Sequence, residues 1–217
     1  DAGCGAGDDT RAMAALVAPG GRAVGVDEHA PILAEARRRA AGSGLPVEFV
    51  RGDVERLPFG DGTFAACRAE RMFQHTSDPL QAMRELARVT RSGGVVVVFD
   101  TDWETLLVDA ADAATTRTLV RTHCDQLRHG WIGRQLAGLM RQAGLVEIAV
   151  EPNTLIHTDA REALALHEFQ SSAERALRAG TITPAACDAW FADIMERHSA
   201  GRFFCAVTQF TVRGRAA

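Results

Sequence analysis

The chain has 217 residues, 47% of them apolar, and its 24 basic residues are all arginine, set against 28 acidic ones for a net charge of −4. That length buries the core of one domain with a generous insertion, and the acidic balance excludes a global pull toward nucleic acid or an anionic membrane surface. With no lysine and no tyrosine, a Schiff-base lysine and a tyrosine acid or base are excluded as well.

The chain opens on Asp1-Ala2-Gly3-Cys4-Gly5-Ala6-Gly7, whose alternating glycines let backbone N–H groups approach a ligand closely. Residues 9–18 have helical spacing and are broken by Pro19-Gly20-Gly21; Ala23 to Val26 is a short strand ending on Asp27. Pro31 to Ala41 predicts a helix with Pro early and Gly42 beyond its end, and Val47 to Val50 the next strand, closed by Arg51-Gly52-Asp53. Phe64 to Ala69 reads as a strand, Pro79 to Thr90 as an amphipathic helix, and Val95 to Phe99 as a strand buried on both faces. Helices are expected at about 110–129, 132–143, 160–179 and 184–198, with strands at Leu145 to Val150 and Phe203 to Val212.

This alternation predicts an α/β fold with a doubly wound, Rossmann-like, mostly parallel sheet and right-handed crossovers. Ligands of such sheets bind at the carboxyl ends of the strands. One domain is expected: a cofactor-binding core at 1–102, a helical cap at 103–130 and 157–200, and returns to the core sheet at 131–156 and 201–217. The five cysteines (4, 67, 124, 187, 205) form no C-x-x-C pair or zinc-ligand pattern, so reduced thiols, no metal and a cytoplasmic location are expected. No stretch is long and apolar enough for a membrane span, and no signal-peptide pattern is present.

Asp1, Asp27 and Asp53 sit at three strand ends on the ligand edge. A carboxylate after the second strand can accept from both hydroxyls of a ribose, and one a strand further out from an adenine amine. Together they describe an adenosine site. The glycine spacing G-x-G-x-G-D-D departs from the dinucleotide pattern G-x-G-x-x-G, and Asp8 and Asp9 would repel a pyrophosphate at the helix start. A cationic sulfonium cofactor meets no such objection.

DAGCGAG, VGVDEH, RGDVERLPFGDGTF and QHTSDPLQAMRELARVTRSGGVVVV together resemble the class I S-adenosylmethionine-dependent methyltransferases, in the small-molecule branch of the ubiquinone and menaquinone biosynthesis enzymes. The resemblance implies S-adenosylmethionine as cofactor and S-adenosylhomocysteine as product. It implies that Asp1, Gly3, Cys4 and Gly5 line the methionine moiety, that Asp27 binds the ribose flanked by Glu28, and that Asp53 and the Val54 backbone hold the adenine. Arg71, at the end of the fourth strand where the family often has a small polar residue, is a further candidate for the cofactor site. The family also implies an antiparallel last strand and a cap inserted after the fifth and sixth strands. Its central strand would precede Asp1, so the chain is expected to be an N-terminally trimmed piece of a longer protein; the alternative is a sheet completed by another chain beside Val24.

For catalysis, His75 follows the fourth strand, and an imidazole is suited to taking the proton of an attacking hydroxyl. Asp100 and Asp102 are candidates to orient it or to hold the substrate. The weighed alternative is that His75 only caps the loop before Ser77-Asp78-Pro79. The expected partner is a small-molecule methyl acceptor taken by a monomer or homodimer, with no nucleic acid and no membrane. The rival functions are a nucleotide-dependent oxidoreductase and a catalytically idle cofactor-binding module.

Overall fold

A computed structural model describes all of residues 1–217. Helices and strands alternate through the first half: α1 (Asp8–Val17), β1 (Ala23–Asp27), α2 (Ala30–Ala40), β2 (Val47–Arg51), β3 (Phe64–Glu70), α3 (Pro79–Val89) and β4 (Thr90–Val108). The second half holds α4 (Ala113–Gln126), α5 (Ile132–Gln142), β5 (Val146–His157), α6 (Ala160–Leu166), α7 (Phe169–Arg178), α8 (Pro184–Ser199) and β6 (Cys205–Arg215). The class is the expected one, an α/β fold with a mostly parallel sheet and a final antiparallel strand.

β1 pairs parallel with β2 from Ala23↔Val47 to Asp27↔Arg51, and β3 pairs parallel with β4 from Phe64↔Thr90 to Glu70↔Phe99. The strand orders are β2-β1 and β3-β4-β6-β5. Ala2 links the two groups, with parallel bridges to Val26 and to Ala69. Its N–H donates to the Arg68 carbonyl at 2.9 Å, and the Val26 N–H donates to the Asp1 carbonyl at 2.8 Å. Beyond this rung β1 and β3 border an apolar groove of about 470 Å³ lined by Val24, Phe64, Ala66, Leu86 and Val97.

Two compact units share the chain: 1–100, 135–151 and 211–217 form the first, and 101–134 and 152–210 the second. In the first, Leu33 and Ala36 of α2 pack with Phe49 of β2, and Met83, Leu86 and Val89 of α3 are buried. The second has its own core of Leu119, Phe169, Trp190, Ile194, Phe203 and Val207. Trp190 is only 1% exposed, and its indole N–H donates to the Thr116 hydroxyl at 2.9 Å, so the polar edge of a buried ring is satisfied.

Three elements depart from the sequence reading. β4 continues for nine residues past Phe99, because the register that buries Val96 and Val98 also carries Asp100 and Asp102 inward, where both are 1% exposed or less. The apolar run marked only its middle. β5 likewise extends to His157 through polar residues whose side chains are mostly exposed. The helix expected at 160–179 is two, separated where His167 ends α6 and Glu168 takes a left-handed φ of 48°. Neither Gly nor Pro marks that break, so periodicity ran through it.

Candidate functional site

The glycine loop is shaped by its neighbours. Gly3 has φ 70°, and a Cβ there would lie 2.7 Å from Met72 Cγ; Gly7 has φ 77°, and a Cβ would lie 2.5 Å from the Phe49 ring. Only glycine meets both the backbone and the space requirement. Asp27, at the end of β1, fixes the turn between them: its Oδ2 accepts the Gly5 N–H at 3.0 Å and its Oδ1 the His29 N–H at 3.0 Å. The Cys4 thiol beside it is pushed up to about 11, first by burial and then by the Asp27 charge, so it is an uncharged neighbour of the loop.

Asp1 is taken up by the protein itself. The Thr10 hydroxyl donates to its Oδ2 at 2.7 Å and Arg68 Nη1 to its Oδ1 at 3.2 Å, with 3% of the side chain exposed. Its carboxylate therefore anchors the loop to α1 and β3. Arg68 also reaches Asp9 at 3.1 Å and pairs with Glu70. Asp8 pairs with Arg11 and with Arg39, the latter at 2.9 Å. The two acidic residues at the start of α1 thus carry arginine counter-charges, and the expected repulsion of a pyrophosphate is weaker than their sequence positions suggest.

Glu28, His29, Arg51, Gly52 and Asp53 line one open concavity of about 590 Å³ at the ends of β1 and β2. Glu28 is exposed, and Asp53 closes a turn in which its Oδ1 accepts the Glu55 N–H at 2.8 Å. Val54 lies within that turn, half-buried. Arg71 has a left-handed φ of 47° and an exposed side chain; its N–H donates to the Phe99 carbonyl at 2.8 Å, so its backbone turns the chain out of β3.

His75 lies on the turn that follows, with its N–H on the Met72 carbonyl at 3.0 Å. His75 is exposed, and partial desolvation lowers its imidazole pKa, favouring the neutral ring. Asp100 is fully buried and accepts the Gln74 N–H at 3.3 Å, acting on the backbone of the His75 turn. Asp102 lies in the second unit, where Arg134 holds it through both oxygens, Nη2 to Oδ1 at 2.7 Å, and also reaches Glu104 at 3.0 Å. Its carboxylate is engaged in an ion pair.

Sequence reading missed Thr10, Arg68, Glu55 and Arg134. All four act through partners distant in the chain, and nothing in local spacing distinguishes an arginine that reaches such a partner from one that faces water. The same holds for Glu85 and Arg88. Glu85 accepts the Leu57 N–H at 2.7 Å, and Arg88 donates to the Phe59 carbonyl at 2.8 Å and the Leu57 carbonyl at 3.1 Å, fastening the loop after Asp53 to α3.

A glycine cradle that tolerates no Cβ, a carboxylate tied to it at the second strand end and a concavity between two strand ends suit an adenosine-bearing ligand with an amino-acid tail. Residues 1–98 match the family model described as a methyltransferase domain. That match covers the segment that carries the glycine loop, Asp27 and Asp53. A 37.1 kDa protein in transposon TN4556 of Streptomyces fradiae is 38% identical over the whole chain, which spans 61% of that relative. The demethylmenaquinone methyltransferase of Thermus thermophilus is 43% identical over 83 residues, 38% of each protein. Among solved structures, the YcgJ protein of Bacillus subtilis aligns with a TM-score of 0.66 at 19% identity, covering 99% of this chain and 89% of that one, and shares the fold. Phosphoethanolamine N-methyltransferase 2 of Haemonchus contortus, in complex with S-adenosyl-L-methionine, aligns at 0.60 and 18% identity, covering 100% of this chain and 48% of its own.

Proposed function

We propose that the protein transfers the methyl group of S-adenosylmethionine to a small organic acceptor, and that the acceptor atom is a hydroxyl oxygen deprotonated by His75. The single observation that carries the cofactor part is Asp27, whose two oxygens hold Gly5 and His29 at the end of β1. Bound there, the cofactor supplies a methyl carbon made electrophilic by its sulfonium. Gly3, Cys4 and Gly5 would hold its amino-acid tail, Asp27 and Glu28 its ribose, and Asp53 with the Val54 backbone its adenine.

The protein's own contribution is alignment and proton removal. In-line displacement at carbon depends on holding the attacking atom and the methyl in register, which the fixed strand ends favour. A neutral His75 takes a proton from a hydroxyl as that oxygen attacks. Asp100 supports that role by fixing Gln74, the residue before it. Methylation at a neutral nitrogen would use the same cradle, the proton of the resulting ammonium being released to solvent after transfer.

Incubation with labelled S-adenosylmethionine and cell extract, followed by identification of the labelled product, tests the reaction and names the acceptor. His75→Ala is expected to bind S-adenosylhomocysteine within about threefold of wild type while losing about 100-fold in turnover, the range for one general base. Normal turnover in that variant would remove His75 from the mechanism. Tight binding of a nicotinamide dinucleotide without binding of S-adenosylhomocysteine would replace the reading with an oxidoreductase.

A further inference from the structure

The turn that carries Asp53 and the turn that carries His75 come from different strands, yet one side chain joins them. Glu55 Oε1 accepts the N–H of Ser77 at 2.5 Å and the N–H of Asp78 at 2.9 Å. On its own turn, the Glu55 N–H donates to Asp53 Oδ1 at 2.8 Å, and its carbonyl accepts the Gln81 side-chain amide at 3.2 Å. Asp78 is the N-cap of α3, its Oδ1 accepting the Gln81 N–H at 3.0 Å. A chain of adjacent hydrogen bonds thus runs from the Asp53 carboxylate through Glu55 to Ser77 and Asp78, two and three residues beyond His75.

We infer that Glu55 is a positioning residue, and that a ligand engaging Asp53 orders the His75 turn through it. The inference rests on the cofactor reading above. Asp53 is exposed on the concavity and its Oδ1 already accepts from Glu55. Anything that fixes the Asp53 side chain therefore fixes the Glu55 backbone, and the Glu55 carboxylate is the group that reaches Ser77 and Asp78. A carboxylate accepting two backbone N–H groups is a strong, charge-assisted contact, and both donors lie on the last residues before α3 begins. The remainder of the 53–61 loop has a separate attachment through Glu85 and Arg88. Truncation of the Glu55 side chain therefore leaves the loop held while removing its contacts with the Ser77 and Asp78 N–H groups.

The test uses S-adenosylhomocysteine as probe and needs no acceptor. In the wild-type chain, saturating probe is expected to slow amide exchange at Ser77 and Asp78 about tenfold and to shift the ring Cε1–H resonance of His75. In Glu55→Ala the probe is expected to bind within about threefold of wild type, with the exchange protection at 77–78 and the His75 shift lost. Glu55→Gln keeps an accepting oxygen and is expected to restore most of both responses, a rescue that a purely structural role for the residue would not produce. If wild-type Ser77 and Asp78 do not respond to bound probe, or respond equally in Glu55→Ala, the coupling is refuted while the cofactor reading stands. If the wild-type chain does not bind the probe at all, the cofactor reading fails and the coupling with it. A wild-type chain that binds the probe without a response at Ser77 and Asp78 refutes the coupling even where a variant does not fold, and Glu55→Gln supplies the comparison where Glu55→Ala does not fold.

Discussion

Replacing Asp27 by alanine removes the group on which the proposed cofactor cradle is built. Its two oxygens accept from Gly5 and His29 at 3.0 Å each; the Gly5 contact is part-buried and is not readily replaced by bulk water in the same geometry, whereas the His29 N–H is exposed. Hydrogen bonds to a charged partner contribute about 1.5–3 kcal/mol each. Loosening of the glycine turn and loss of a ribose acceptor together are expected to cost roughly 2–4 kcal/mol of binding, or about 30- to 700-fold in Kd. Asp27→Asn is expected to lose nearly as much, since an amide offers one accepting oxygen to two N–H donors and turns its own N–H₂ toward the other. Titration calorimetry with S-adenosylhomocysteine measures the loss, and a thermal melt of each variant establishes that it is folded. Binding by Asp27→Ala within threefold of wild type, in a folded protein, would refute the assignment of the β1 terminus as the ribose site.

The remaining expectations concern the scaffold. Gly7→Ala adds a Cβ 2.5 Å from Phe49 at a left-handed φ, a clash and a strain that together cost about 2–4 kcal/mol; thermal denaturation is expected to show a midpoint lower by roughly 5–15 °C, and an unchanged midpoint would contradict the packing described. Arg134→Ala strands the Asp102 carboxylate, whose side chain is 1% exposed, and is expected to destabilise by about 3 kcal/mol, with Asp102→Asn in the same background recovering part of it in urea titrations. Burial, then the neighbouring His157 and His123, pushes His167 down to about 4. Because the unfolded chain, with an imidazole near 6.5, takes up a proton the folded one resists, stability is complete above about pH 6.5 and is lost as pH falls from there toward 4. Urea midpoints at pH 7 and pH 4.5 measure this, and His167→Leu is expected to narrow the difference between them.

Legibility differed with the range of the interaction. Asp27 and Asp53 could be read from the sequence because each closes a short apolar run, and the strand period puts run ends on one edge of a parallel sheet. Gly3 and Gly7 were legible from their spacing, but the reasons they must be glycine, Met72 and Phe49, lie on other elements. Asp1 was legible as part of the loop, not as the partner of Thr10 and Arg68. Asp100 and Asp102 were legible as carboxylates following an apolar strand. That one lies under the His75 turn and the other in an ion pair with Arg134 depends on how far β4 continues and on what packs beside it. The break between α6 and α7 was invisible because a left-handed Glu168 leaves no compositional mark.

The sequence by itself determined the order of elements through residue 100 and the placement of the glycine loop and of Asp27 and Asp53 at strand ends, since hydrophobic period and turn chemistry are local properties; the expectation of methyl transfer came from the resemblance of its motifs to a known family. Only the tertiary structure decided which charges are engaged and which remain available. Arg68 is shared among Asp1, Asp9 and Glu70, Arg134 pairs with Asp102 and Glu104, and Glu55 reaches from one turn to the next. A side-chain charge acts over a few ångströms, and which residues come within that distance is set by packing between elements far apart in the chain.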